Sequence, residues 1–329
     1  MFVIERKNLL VALSTIEPHA PSRAARVAIS AEEDGNVRVL VGNDETGASC
    51  STMGRVLLPG IVGVPLKPFV SALQSSRGHK VEFAANAKQV VAAIDGESSS
   101  SRRYVFPVEE TEPPECPTVE PGAVAVTISA EGFRRCVDQV AFAASRRPTE
   151  GEWATGCIEI TAEDSRLTLA ATDLYRLAVA NTPAELPRSK SAQSLIHEGT
   201  LRTWARIAKK EDAVRFTFGT RVVFSVGGLT AWASPCEGLF PDWRNETRAE
   251  AKYTVGLAAG SFRDAVKGVL SMLNPDDPTI TVATRRGGLV VSANAGEGKA
   301  EIVVPIPGFM GPAAVLPLDG QRLLAILLA

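Results

Sequence analysis

The side chains that most often do chemistry in proteins are few and scattered along these 329 residues. There are five cysteines and no Cys-x-x-Cys pair: Cys50, Cys116, Cys136, Cys157 and Cys236. A disulfide framework or a structural zinc site needs close, paired spacing, so this pattern favours free buried thiols. The three histidines, His19, His79 and His197, are isolated and supply no set of metal ligands. The sequence therefore predicts neither a bound metal nor a cofactor.

Two further patterns resemble catalytic or phosphate-binding motifs, but each is explained more simply as a turn or a loop. The string Gly-Glu-Gly-Lys at 296–299 joins two predicted strands, whereas a phosphate cradle needs a following helix N-terminus, so a hairpin loop is favoured. Asp276 and Asp277 precede a proline and predict a helix-ending turn more than a carboxylate pair. Neither a Gly-x-x-x-x-Gly-Lys-Ser/Thr loop nor a Gly-x-Ser-x-Gly elbow is found. The sequence favours a protein that is not an enzyme.

Composition places the chain among soluble globular proteins. Apolar residues make up 45% and charged residues 22%, which excludes disordered and collagen-like classes. No apolar run approaches the ~18–20 residues of a membrane-spanning helix, and residues 1–6 carry both charge signs, unlike a secretory signal. We therefore expect a cytoplasmic protein without membrane contact. The net charge of −2 argues against tight binding of DNA along a continuous basic face.

A threefold repeat organises the chain. Segments at 2–13, 124–137 and 252–266 each begin with a short strand, a polar break and an amphipathic helix; Ser129 predicts the N-cap in the second copy. Alternating strand patterns and a second helix follow each opening, and more strands follow in the first two copies. These patterns predict an α+β fold with two helices packed on antiparallel sheets in each of three domains, at 1–122, 123–250 and 251–329, the third incomplete.

Positive charge is concentrated on the predicted helices. The windows 5–17, 65–77, 131–147, 198–210, 261–273 and 319–328 hold fifteen basic and seven acidic residues, a net charge of +8, against −10 for the rest. Helices tolerate Lys and Arg well, which is one explanation. Glu is nearly as good a helix former and is scarce here, which favours a positive face that attracts phosphates without reading bases.

Two motifs point to a known family. Ala-Thr-Asp-Leu-Tyr-Arg-Leu-Ala-Val at 171–179 is followed some sixty residues later by Glu-Gly-Leu-Phe-Pro-Asp-Trp at 237–243. Val-Ala-Phe-Ala-Ala-Ser-Arg-Arg at 140–147 fits the same family. With the repeat, these strings resemble the bacterial DNA polymerase III beta subunit, the sliding clamp. The resemblance is strongest in 123–245 and weakest in 1–121.

The resemblance implies a non-enzymatic processivity factor with the DNA-clamp fold. It implies a head-to-tail homodimer closed into a ring around double-stranded DNA, with helices lining the hole and no dependence on base sequence. A ring holds DNA by topology, so a weakly positive lumen suffices. Together with the helix charges it assigns five residues to the DNA-facing surface: Arg23, Arg134, Arg147, Arg202 and Lys209.

The resemblance also implies an apolar groove in which short linear peptides of the replicative polymerase and the clamp loader dock. The matching positions are Ala154, Thr172, Leu174, Tyr175, Arg176, Leu177 and Pro241. Leu177 taken alone fits an ordinary core position equally well. The family motif has Gly-His where this chain has Leu174-Tyr175, so we expect a narrower groove or a different ligand. The family chain continues beyond the sixth helix, which implies that a sequence ending at Ala329 lacks one groove wall and leaves apolar surface of the third domain uncovered.

The family's subunit interface pairs an edge strand of the first domain with one of the third. Residues 103–108 and 300–306 occupy those places, and the interface candidates are Tyr104, Phe106, Leu273 and Ile302. Each of the four is also compatible with an ordinary strand or core position. The departures from the family motif leave a second hypothesis, an accessory or degenerate clamp paralogue. Such a protein would bind clamp partners, or form a heterodimer with a full-length clamp, without closing its own ring.

Overall fold

The computed structural model describes residues 1–22, 24–86, 88–95, 101–108, 115–149, 151–208, 213–247, 254–296 and 298–329. The chain divides into two compact units. The first comprises Met1–Asp173 and Ala178–Phe240, and the second comprises Leu174–Leu177 and Pro241–Ala329. Helices and antiparallel sheets occur in both units, so the predicted α+β class is confirmed. The division into three domains stays a prediction.

Seven α-helices lie in the described residues. They are α1 (Arg6–Ile16), α2 (Leu66–Ser75), α3 (Ala130–Val140), α4 (Glu198–Ile207), α5 (Trp243–Glu246), α6 (Ala259–Leu270) and α7 (Gly320–Leu328). The long helices pack in pairs, α1 with α2, α3 with α4 and α6 with α7. One pair for each repeat agrees with the repeat pattern of the sequence. The four-residue α5 is the one helix that the apolar periodicity did not predict.

The first unit contains three antiparallel sheets. Its first ten strands are β1 (Phe2–Glu5), β2 (Arg26–Ala31), β3 (Asn36–Gly42), β4 (Thr46–Met53), β5 (Arg55–Val56), β6 (Gly60–Pro65), β7 (Lys80–Ala85), β8 (Gln89–Asp95), β9 (Ser101–Pro107) and β10 (Val124–Ser129). The others are β11 (Cys157–Glu163), β12 (Arg166–Thr172), β13 (Leu177–Pro183), β14 (Ala192–His197), β15 (Ala213–Phe218), β16 (Val222–Val226) and β17 (Leu229–Ala233). The sheet orders are β5-β1-β7-β8-β9, β10-β15-β16-β17-β4-β3-β2-β6 and β13-β12-β11-β14.

The eight-stranded sheet joins the first two repeats at the β17–β4 pair, which we call the seam. Trp232 is fully buried there and lies opposite Gly47 in the strand register. A Cβ atom at Gly47 would lie 2.2 Å from Cζ2 of Trp232, so the ring needs a glycine beneath it. The indole N–H donates to the carbonyl of Asn43 over 3.3 Å. Close packing and this hydrogen bond make the seam part of the core.

Within each unit the helices pack on the sheets through an apolar core. In the second repeat, Trp204 of α4 stacks on Phe224 of β16, with ring centroids 5.1 Å apart and planes within 5°. Phe133 of α3 contacts Phe216 and Phe224. In the first repeat, Phe69 of α2 meets Phe83 of β7 edge-on, with ring centroids 5.8 Å apart. Fully burying each such side chain contributes ~1.5–3 kcal/mol.

The helix that begins at Ala130 is shorter than predicted. The Ser129 hydroxyl accepts a hydrogen bond from the Gly132 N–H over 3.1 Å, which confirms the predicted N-cap. The helix ends at Val140, however, and a 3₁₀ turn at Ala141–Ala143 follows before the chain becomes extended at Ala144. The prediction that this helix reaches residue 147 is therefore wrong. With the observed bounds, the six long helices carry ten basic and four acidic residues, a net charge of +6.

The second unit contains one four-stranded sheet and two long helices. Its strands are β18 (Thr279–Arg285), β19 (Gly288–Ala295), β20 (Gly298–Pro305) and β21 (Val315–Asp319), in the order β20-β19-β18-β21. Gly296 lies in the turn between β19 and β20, so the predicted hairpin loop is confirmed in its described part. The Asp319 carboxylate accepts from the Arg322 N–H over 2.9 Å and caps α7. Val266, Val269 and Ile280 form the centre of this unit's core.

Candidate partner-binding and nucleic-acid surfaces

An apolar cluster in the first unit surrounds one of the predicted groove positions. Ala154, Cys157 and Leu195 are buried, and Cys236 and Phe240 pack against them. We call these five residues the floor cluster. A 3₁₀ turn at Trp153–Gly156 carries Ala154 into it and leads into β11. The backbone N–H of Cys236 donates to the Leu195 carbonyl over 2.8 Å, which holds the segment after β17 alongside β14.

Large exposed apolar side chains border the floor cluster. Trp153 is exposed directly before Ala154, and Leu239 is 96% exposed directly before Phe240. Gly238 has a φ of +118°, and a Cβ atom there would lie 3.5 Å from the Cβ of Ala154. Gly238 therefore brings the backbone of this segment close to Ala154. Exposed anchors beside a shallow apolar floor are typical of a surface that binds apolar side chains of a partner.

The motif segment Leu174–Leu177 belongs to the second unit. Leu174 is exposed and has a φ of +70°, in the left-handed region that favours glycine. Tyr175 is 74% exposed, and the guanidinium carbon of Arg322 lies 3.8 Å from the centre of its ring. Arg322 also approaches Asp319, at 3.4 Å, through its Nη1 atom. The Tyr175 ring is thus held against α7 by a cation–π contact.

The seven predicted groove residues fall into both units. Ala154 and Thr172 are buried in the first, whereas Leu174, Tyr175, Arg176, Leu177 and Pro241 belong to the second, where the last three are half-buried. Leu177 is the first residue of β13. Sequence reasoning missed Trp153, Cys157, Leu195, Phe240 and Arg322. The family motif at 237–243 was a signal for Phe240, and Trp153 and Cys157 lie within three residues of Ala154, whereas Leu195 and Arg322 lie on a distant strand and a distant helix.

Three of the five predicted DNA-facing residues lie in described segments. Arg134 is exposed on α3. Arg147 is also exposed, but it lies after the helix, where its backbone N–H donates to the Ser145 hydroxyl over 3.3 Å. Arg202 on α4 is half-buried and paired with Glu198 one turn away, so its positive charge is partly neutralised. Arg23 and Lys209 lie outside the described residues.

The predicted interface strands both lie at sheet edges. β9 ends the five-stranded sheet, and β20 ends the sheet of the second unit. Phe106 on β9 is buried and meets Phe69 edge-on at 5.6 Å, so within the described chain its side chain packs inward. The Tyr104 hydroxyl lies 3.1 Å from that of Ser76. Leu273 and Ile302 pack against the core of the second unit. The outward-facing apolar side chains are instead Val105 and Val303.

All five cysteines are free, as predicted, but the structure buries only Cys136 and Cys157, and the other three are partly exposed. Within the described ranges, no three His, Cys, Asp or Glu side chains come together as metal ligands. Among the helices of these ranges, none combines the length and apolar character required to cross a membrane.

Repeated helix pairs on antiparallel sheets define a class, the α+β clamp fold. Residues 127–242 match the family model described as the central domain of the DNA polymerase III beta subunit. This match agrees with the motifs, so the resemblance to that subunit is confirmed for the central part of the chain.

The relatives confirm the fold along nearly the whole chain. The beta sliding clamp of Pseudomonas aeruginosa is 24% identical over 308 residues, which cover 89% of this chain and 80% of the relative. The Bacillus subtilis sliding clamp structure aligns with a TM-score of 0.88 at 17% identity, covering 99% of this chain and 89% of the other. A Pseudomonas aeruginosa clamp solved with bound griselimycin aligns with a TM-score of 0.82 at 19% identity and the same coverages.

Proposed function

We propose that this protein is a sliding-clamp-like DNA polymerase processivity factor. In this proposal three domains, 1–122, 123–250 and 251–329, form a protomer that pairs head to tail with a second copy and encircles duplex DNA. The observation that carries the proposal is the clamp fold, which covers 99% of the chain. The protein acts by binding, tethering a polymerase and contacting a clamp loader, without catalysing a reaction itself.

The helix charges support weak, sequence-independent contact with DNA. The six long helices carry a net charge of +6, whereas the whole chain carries −2. Positive helices attract phosphates, and the acidic remainder limits other contacts with nucleic acid. Arg134 and Arg147 are exposed and able to meet phosphates, whereas Arg202 is already paired with Glu198. Arg23 and Lys209 complete the proposed DNA-facing set.

The edge strands support the proposed dimer. An edge strand presents unpaired N–H and C=O groups to a second chain, and β9 and β20 both end their sheets. Pairing β9 of one protomer with β20 of its partner gives a heterologous, head-to-tail contact, and two such contacts close a ring. Val105 and Val303 face outward beside this contact, with Tyr104, Phe106, Leu273 and Ile302 supporting the strands from within each protomer.

The floor cluster supports peptide binding. A few apolar side chains of a partner peptide would pack over Ala154 and Phe240, between the exposed Trp153 and Leu239. Buried apolar anchors supply most of the affinity in such contacts. Replacing Leu239 by Asp is expected to weaken griselimycin binding at least tenfold in a calorimetric titration. Leu58→Asp, at another exposed leucine of the same unit, should leave the affinity unchanged; equal affinities for both variants would remove the floor cluster from the proposal.

The ring itself is tested by topology. Light scattering at micromolar concentration separates the 34.8 kDa monomer from its dimer. The dimer is then loaded by a clamp loader onto nicked circular DNA, and half of the sample is linearised. We expect retention on the circle and rapid loss from the linear form, because a ring slides off a free end. Loss at equal rates from both forms contradicts the proposed function.

The motif segment favours one alternative, an accessory or degenerate clamp paralogue. Leu174 occupies a glycine-type conformation, and Tyr175 is stacked by Arg322, both at positions where the family motif has Gly-His. A protein with these changes would contact clamp partners or a full-length clamp without closing a ring of its own. This alternative predicts a monomer that associates with a full-length clamp in light scattering. A monomer that binds neither griselimycin nor the full-length clamp would exclude it.

A further inference from the structure

Two cysteines that are 79 residues apart in sequence meet inside the floor cluster. Cys157 begins β11 and lies opposite His197 of β14 in the strand register. Cys236 lies beyond the other side of β14, where its backbone donates to the Leu195 carbonyl over 2.8 Å. The Cys157 sulfur lies 3.8 Å from the Trp153 carbonyl oxygen, at the start of β11. Cys157 and Cys236 are thus two of the five residues that pack together in the floor cluster.

From this shared packing we infer that Cys157 and Cys236 form a dithiol site at which a hydroperoxide makes a reversible intrachain disulfide. Disulfide formation requires two Cβ atoms to approach to ~3.5–4.5 Å. Cys236 lies between β17, which ends at Ala233, and α5, which begins at Trp243, in a stretch without regular secondary structure. This stretch belongs to no strand ladder, so a shift of Cys236 toward Cys157 breaks its backbone hydrogen bond to Leu195 and no pairing between strands.

The two thiols have different roles. The neighbouring Cys157 thiol lowers the pKa of Cys236, and Cys236 in turn raises the pKa of Cys157. Burial raises the pKa of the other three cysteines, to about 11 for Cys136. Since the thiolate is the nucleophile, Cys236 is the sulfur that reacts first. Cys236 is also the more exposed member of the pair.

The reaction balances in two steps. The Cys236 thiolate attacks one peroxide oxygen, the O–O bond breaks, and the leaving hydroxide or alkoxide takes a proton, giving a sulfenic acid. The Cys157 sulfur then attacks the Cys236 sulfur and the S–O bond breaks. The hydroxide that leaves takes the Cys157 proton and departs as water. The peroxide is reduced by two electrons, and the two thiols are oxidised to one disulfide.

The site is tested by mass spectrometry of the full chain, independently of any ligand. The protein is treated with hydrogen peroxide, alkylated and digested. We expect the peptides of Cys157 and Cys236 to be joined, with loss of 2 Da, before Cys50, Cys116 or Cys136 react. Cys136→Ser should leave the joining unchanged. Cys157→Ser should stop at a sulfenic acid on Cys236, which dimedone traps.

Three results would overturn the inference. In the first, the wild-type protein keeps both Cys157 and Cys236 as thiols while other cysteines oxidise. In the second, the joined peptides include Cys50, Cys116 or Cys136. In the third, dimedone labels a cysteine other than Cys236 in the Cys157→Ser variant. The wild-type digest decides the matter even where the Cys157 variant fails to fold. Dithiothreitol should restore both thiols, since the proposed change is reversible.

A second readout rests on the proposed function. The disulfide would fix the segment that carries Gly238, Leu239 and Phe240, so oxidised protein is expected to differ from reduced protein by at least threefold in its Kd for the ligand of the floor-cluster titration. Cys236→Ser should show no difference between the two treatments. If the disulfide forms but the Kd does not change, the dithiol site stands and its effect on ligand binding is refuted. If neither the reduced nor the oxidised protein binds the ligand, the result counts against the proposed function alone.

Discussion

Leu174 shows how one substitution changes a family motif at the level of the backbone. The family motif has glycine here, and this chain keeps the glycine-type conformation, with a φ of +70°, while adding a leucine side chain. The left-handed region costs a branched residue ~1–2 kcal/mol because Cβ approaches the following carbonyl oxygen. The exposed side chain recovers little of this by burial. The conformation is therefore retained at a cost in stability.

Replacing Leu174 by Gly is expected to raise the free energy of unfolding by up to ~1 kcal/mol, because relief of strain exceeds the added entropy of the unfolded chain. Urea unfolding followed by circular dichroism measures the change. Leu58→Gly is the matched control, an exposed leucine without a positive φ, and should lower stability. A loss of stability in both variants would show that the Leu174 backbone is not strained.

His19 predicts a pH dependence of stability. It is buried at the 3₁₀ turn after α1, and burial lowers its pKa from 6.5 to about 4. Between these values the unfolded state binds more protons than the folded state, so stability is complete above pH 6.5 and falls as the pH drops toward 4. The loss across this window is roughly 3 kcal/mol.

The contribution of His19 is isolated by comparing variants. His19→Leu should remove this part of the pH dependence in urea unfolding curves measured from pH 7.5 to 4.5. His79→Leu, at an exposed histidine, should retain it. Parallel pH profiles for the His19 variant and the wild type would contradict the prediction, whatever their offset in absolute stability.

At the scale of elements, caps and apolar periodicity predicted where helices begin better than where they end. Ser129 fixed the start of α3 because its hydroxyl meets a backbone N–H three residues away. The apolar pattern continues past Val140, but the chain tightens into a 3₁₀ turn and becomes extended at Ala144, four residues before Pro148. Tertiary packing decides that end, and no local signal marks it.

The edge strand β20 carries the prediction for assembly. Val303 is 60% exposed on β20, and Val315 is 67% exposed on β21 at the opposite edge of the same sheet. A lysine on an edge strand disfavours pairing with another chain. Val303→Lys is therefore expected to shift the mass measured by light scattering from dimer to monomer, whereas Val315→Lys should remain dimeric. Dissociation of both, or of neither, would exclude β20 as the interface strand.

At the scale of the whole molecule, the seam predicts that the first two repeats unfold together. Gly47→Ala places a Cβ atom 2.2 Å from the Trp232 ring and 2.6 Å from the Val41 carbonyl oxygen, so overpacking should cost roughly 1–3 kcal/mol. Gly228→Ala, whose nearest neighbour would be the Ser51 carbonyl oxygen at 3.5 Å, should change stability by less than ~0.5 kcal/mol.

Tryptophan fluorescence, measured in a Trp243→Phe background so that only tryptophans of the first unit contribute, reports the unfolding of that unit through buried Trp204 and Trp232. We expect one transition for both Gly47→Ala and the wild type, shifted to lower urea in the variant. A separate early transition in Gly47→Ala would show that the two repeats are independent of each other and that the seam does not couple them.

The sequence predicted the repeated helices, most strands and the resemblance to the clamp family, because periodicity and motifs are local. It did not predict the seam, which pairs Leu229 with Cys50. It also did not predict that Cys157 meets Cys236, since both pairings depend on how distant segments pack. Phe106 is a further example. The alternating pattern of β9 does not say which face of the strand packs on the core, and in the structure Phe106 faces the core while Val105 faces outward.

The seam has a consequence for synthesis of the chain. β4 is complete once Met53 is synthesised, but its neighbour β17 ends at Ala233. About 180 further residues must therefore be translated before β17 can pair with the open edge of β4. Pairings this distant close slowly, and an uncovered edge in a nascent chain recruits strands from neighbouring molecules. Slow translation of the second repeat would therefore lower the yield of native protein more than slow translation of residues beyond Ala233.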